Sequence, residues 1–170
     1  MTSTVSLECC LLSGRRRVLL GRDSAVPSER LVVDAGGAAA SFSSEEAARA
    51  YARERGLVAD DDAPEEVDLD AVAAWCGRFD RAPLDPKAVW AAWDFLGRTG
   101  ALEERPVDTH GYLDEINLKL VLKIGRIDRP DVRDRIPEPE MTTQDLRNLA
   151  RLLTHGTTEL TRRLSTSATL

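Results

Sequence analysis

Apolar and polar residues alternate at the front of this chain and then settle into a helical rhythm. Thr4 to Leu12 carries Val5, Leu7, Cys9 and Leu11 at every second position, with Ser6 and Glu8 between them. That period of two predicts a strand with one covered face. Ser13-Gly14 punctuates, and Arg15-Arg16-Arg17 leads into a second strand at Val18-Leu19-Leu20. Leu31-Val32-Val33 predicts a third, Asp34-Ala35-Gly36-Gly37 a hairpin-type turn, and Ala38 to Phe42 a short further strand.

From Ser43 onward the spacing changes to three and four. Ser43 followed by Glu46 has the spacing of a capping box, and Ala47, Ala48, Tyr51 and Ala52 form the apolar stripe behind it. Gly56 stands where a left-handed residue closes a helix. Asp68 predicts the cap of a helix with stripe Leu69, Val72, Cys76 and Phe79, Trp75 lying beside it. Asp85-Pro86 is a cap followed by proline at the first helical position, opening a helix through Val89, Trp90, Trp93 and Leu96.

Leu113, Ile116, Leu120, Ile124 and Ile127 fit a third helix in this region. Leu118 to Ile124 also alternates as a strand would, but the length of the stripe favours helix. After a proline-punctuated loop from Arg129 to Glu140, Thr142 and Asp145 predict the cap of a last helix. Its stripe is Leu146, Leu149, Leu153, Leu160 and Leu164, with a turn or kink expected at His155-Gly156.

Strands segregated before helices predict an α+β fold. The expected architecture is a small antiparallel sheet with one packed helix, followed by a bundle of about four helices. Residues 1–58 form the sheet-plus-helix module, 59–67 an acidic linker, 68–165 the helical region and 166–170 a tail.

Charge sharpens the functional reading. The chain carries 29 acidic against 23 basic side chains, a net charge of −6. Nucleic-acid binding through the phosphate backbone is therefore disfavoured, and a basic protein is the more natural partner. No apolar run approaches the roughly 18 residues that cross a bilayer, and no basic segment precedes an apolar one at the N-terminus. The expected location is the cytoplasm. The acid is concentrated between the two halves, at Asp60, Asp61, Asp62, Glu65 and Glu66. Such a run serves as a solvated linker or as an electrostatic strip that steers a basic partner. Trp75, Trp90 and Trp93 are the aromatic anchors for a contact of that kind, or else core residues.

Candidate covalent chemistry is sparse. Cys9, Cys10 and Cys76 have neither the even count of a disulfide framework nor metal-ligand spacing, so reduced, partly buried thiols and no cofactor are expected. His110, near Asp108 and Asp114, is the one local arrangement that fits a general base, which leaves a small hydrolase as the alternative. A second alternative is a subunit of a larger assembly that uses the leucine stripe of the last helix as its contact.

A resemblance adds to this reading. The run Ser43-Ser44-Glu45-Glu46-Ala47-Ala48 with Tyr51-Ala52, followed by Trp90-Ala91-Ala92-Trp93-Asp94-Phe95-Leu96, resembles small actinobacterial immunity proteins encoded beside secreted toxins. The near-absence of lysine, confined to Lys87, Lys119 and Lys123, fits a GC-rich source of that type. The resemblance implies a non-enzymatic protein that occludes a toxin, and it brings no catalytic residue with it.

Overall fold

The computed structural model describes residues 4–22, 29–33, 39–60, 66–102, 110–124 and 139–165. In chain order the elements are β1 (Thr4–Leu11), β2 (Arg15–Arg22), β3 (Glu29–Leu31), β4 (Ser41–Phe42), α1 (Glu45–Glu54), β5 (Val58–Ala59), β6 (Glu66–Asp68), α2 (Leu69–Cys76), α3 (Pro86–Arg98), α4 (His110–Lys123) and the last helix, α5 (Thr143–Ser165). The fold is α+β: four strands lead, α1 and two short strands follow, and the remaining helices come last. The expected hairpin turn at Asp34–Gly37, residue Ile127 and the tail 166–170 lie outside the described residues.

β1 is the central strand. It pairs antiparallel with β2 along its whole length, from Thr4 opposite Arg22 to Leu11 opposite Arg15. β3 and β4 both pair antiparallel with β2, which completes the expected antiparallel part. On its other edge β1 pairs parallel with β5 at Thr4–Val5 and with β6 at Cys9–Leu11. The sheet is therefore mixed and six-stranded. The expected linker over 59–67 is corrected at both ends, because Ala59 and residues Glu66 and Val67 belong to the sheet. Strands of two and three residues leave no periodicity to read; they exist because β1 presents an edge whose N–H and C=O groups need partners.

Both faces of the sheet are covered. On one, Val5, Leu7, Leu19, Ala40 and Phe42 pack against Ala48, Tyr51 and Ala52 of α1. The Phe42 and Tyr51 rings meet at 5.0 Å between centroids with planes tilted by 58°. On the other, Cys10, Val18, Leu20 and Val67 meet the helical layer in one core that continues through Phe95, Leu120 and Leu153. Cys9 and Cys10 are both buried, and all three cysteines are free thiols.

Caps set most helix boundaries. Ser44, not Ser43, caps α1: it is extended and its side chain accepts from Ala47 N at 3.1 Å. α1 ends in a Schellman motif, with Leu57 N donating to Ala52 O at 2.9 Å and Gly56 N to Arg53 O at 3.0 Å. Gly56 has φ of 67°, a region that side chains with a Cβ rarely adopt. Asp68 caps α2 through Ala71 N at 2.8 Å. Asp85 caps α3 through both Lys87 N and Ala88 N. Thr142 and Asp145 form a reciprocal box at the start of α5: Asp145 N donates to Thr142 Oγ1 at 3.1 Å and Thr142 N to Asp145 Oδ2 at 2.9 Å.

Three expectations about the helices change and one holds. α2 ends at Cys76 and buries Leu69, Val72 and Trp75, so Trp75 lies in the stripe rather than beside it. α3 buries Val89, Ala92, Phe95 and Leu96, which moves Trp90 and Trp93 to a half-buried flank. The small Ala92 lets neighbouring elements approach where an indole would hold them off. The segment Leu118 to Lys123 is helical, as the stripe from Leu113 favoured, and Leu118, outside that stripe, is 54% exposed. α5 runs unbroken through His155 and Gly156, because the glycine is a packing position: a Cβ there would lie 2.6 Å from Leu102 Cδ2 and 3.0 Å from Leu96 Cδ1.

Candidate protein-interaction site

The acidic run begins and ends on the sheet. Asp60 N donates to Val5 O at 2.8 Å, and Asp60 O accepts from Arg49 Nη1 of α1 at 3.0 Å. At the other end Glu66 pairs with Cys9, and its Oε2 accepts from the Cys9 thiol at 3.6 Å. Ala59 and Glu66 stand opposite Val5 and Cys9 of the same strand, four residues apart along β1. At a strand rise of about 3.3 Å per residue the two ends are held roughly 13 Å apart. Asp60 and Glu66 are exposed on this edge; Asp61, Asp62 and Glu65 lie outside the described residues.

The next two carboxylates have structural duties. Asp68 caps α2, and Asp70 Oδ1 accepts from Ser13 N at 2.9 Å, fastening the β1–β2 turn to the start of that helix. Two arginines of β2 are likewise engaged: Arg17 donates to Ser43 O at 2.7 Å and Arg16 to Leu12 O at 3.1 Å.

The three tryptophans are not gathered into one patch. Trp75 is buried in the core, which removes it as an exposed anchor. Trp90 and Trp93 share one flank of α3, partly open, at the i, i+3 spacing of neighbours on a helix. Near the start of α3, Leu84, Pro86, Lys123, Glu140, Met141 and Leu146 line a cleft of about 380 Å³.

Two ion pairs inside the structure join residues whose pairing has no signal in the sequence. Glu8 sits on the polar-alternating face of β1, which the helices cover, and Arg98 Nη1 of α3 reaches its Oε1 at 2.8 Å. Arg98 Nε also meets Asp94 Oδ2 at 3.0 Å. Glu8 was legible as a polar position, but nothing local marks a partner 90 residues away. Asp145, buried, holds Lys119 Nζ at 2.9 Å and joins α5 to α4. Glu115 and Asp145 together raise the Lys119 ammonium above its ordinary range.

The other perturbed groups also have structural causes. Hydrogen bonds from Arg162 and Arg163 pull the Glu159 carboxyl down to about 2. Arg163 extends that network to Thr99 O at 3.3 Å. Burial pushes the Cys10 thiol up to about 12 and raises Cys76 as well, which disfavours the thiolate that a nucleophile needs.

For the hydrolase alternative, His110 opens α4 with its side chain outside the described residues, as is Asp108, while Asp114 is exposed on the same helix. Among the described residues no group of three His, Cys, Asp or Glu side chains is placed to hold a metal ion. Among them, too, no helix is long and apolar enough to cross a membrane. For the assembly alternative, Leu149, Leu153, Leu160 and Leu164 are buried in the chain's own core and Leu146 packs partly against it. That stripe is not a free contact surface.

No protein-family model matches the chain, and no curated protein or solved structure is significantly similar to it.

Proposed function

We propose that this protein is a non-catalytic cytosolic binding module of the immunity type, which docks and occludes a basic protein partner through the acidic edge of its sheet. The observation that supports the reading is the anchoring of the strip. A tethered linker would have to be ordered on binding, whereas a segment held at Asp60 and Glu66 has part of that entropy cost already met by the fold. The net charge of −6 adds attraction at long range. Trp90 and Trp93 are the apolar contacts proposed to accompany it, being partly open where Trp75 is not.

The test is association kinetics with the product of the adjoining reading frame, measured by stopped flow at low and high ionic strength. The variant changes Asp60, Asp61 and Asp62 to Asn and Glu65 and Glu66 to Gln, and leaves the cap Asp68 in place. Steering by the strip predicts an association rate about tenfold slower at low salt, a flatter salt response and an off-rate within about twofold of the parent. Equal association rates at low salt would reduce the strip to a solvated edge. A parent protein that fails to bind a basic partner at low salt would remove the immunity reading altogether.

A further inference from the structure

We draw no further inference here: the strongest candidate, the cleft between the start of α3, the end of α4 and the start of α5 lined by Leu84, Pro86, Lys123, Glu140, Met141 and Leu146, carries nothing because nothing in the structure shows what covers it.

Discussion

Replacing Arg98 by Met tests how the sheet is joined to the helical layer. In the parent the Glu8 side chain is 10% exposed and Arg98 28%. Removing the guanidinium leaves a carboxylate facing the helices, and breaking a buried pair from one side costs about 3–5 kcal/mol. One feature of the site lowers that figure. Arg98 is partly wet, so solvent already screens the pair. The lost contact to Asp94, 42% exposed and one helical turn away, adds only a few tenths. We expect Arg98→Met to lose about 2–3 kcal/mol at pH 7, read from urea midpoints at constant slope.

The same reasoning fixes two controls. Glu8→Gln alone should cost about 1 kcal/mol, because Arg98 retains Asp94 and access to water. The double variant Glu8→Leu with Arg98→Met should return to within about 1 kcal/mol of the parent. A single Arg98→Met no worse than Glu8→Gln at pH 7 would refute the reading of this pair as the critical polar join.

Other outcomes follow from the same structure. Gly156→Ala gains about 1 kcal/mol of helix propensity but forces Leu102 and Leu96 aside, so a net loss of about 1–2 kcal/mol is expected; a more stable variant would mean that α5 has room to move. Asp68→Ala should cost about 1 kcal/mol by urea titration, through Ala71 N losing its acceptor. The Glu159 carboxyl lies near 2 in the folded chain, below its ordinary value, so the unfolded chain binds more protons between about pH 4.5 and pH 2. Its contribution is therefore complete above that window and lost through it: Glu159→Gln should be less stable than the parent by about 1 kcal/mol at pH 6 and indistinguishable near pH 2. Because β6 and the Glu8–Arg98 pair join the two halves, urea transitions followed by tryptophan fluorescence (all three indoles lie beyond residue 68) and by labelling of the buried Cys9 thiol should coincide; separate midpoints would restore two independent modules.

What the chain determined by itself is the set of features that depend on neighbours a few residues away. Asp68, Asp85, the Thr142–Asp145 box and Gly56 mark helix ends because a cap acts on backbone groups within one turn. The stripes at Leu113, Ile116 and Leu120 and at Leu149, Leu153 and Leu160 were legible because burial repeats with the helical period. The acidic run was equally plain as charge. Tertiary structure decided what rests on distant partners. β5 and β6 are too short to show a period and form only because β1 offers a parallel edge, so the anchoring of Asp60 and Glu66 could not be read locally. Glu8 looked like the solvent side of a strand until Arg98 supplied a cation on the covering helix. Trp75 went inside while Trp90 and Trp93 stayed on a flank because close helix packing selects small residues such as Ala92 at its tightest points. Size alone ranks an indole as apolar; only the packed neighbours determine which side of it meets water.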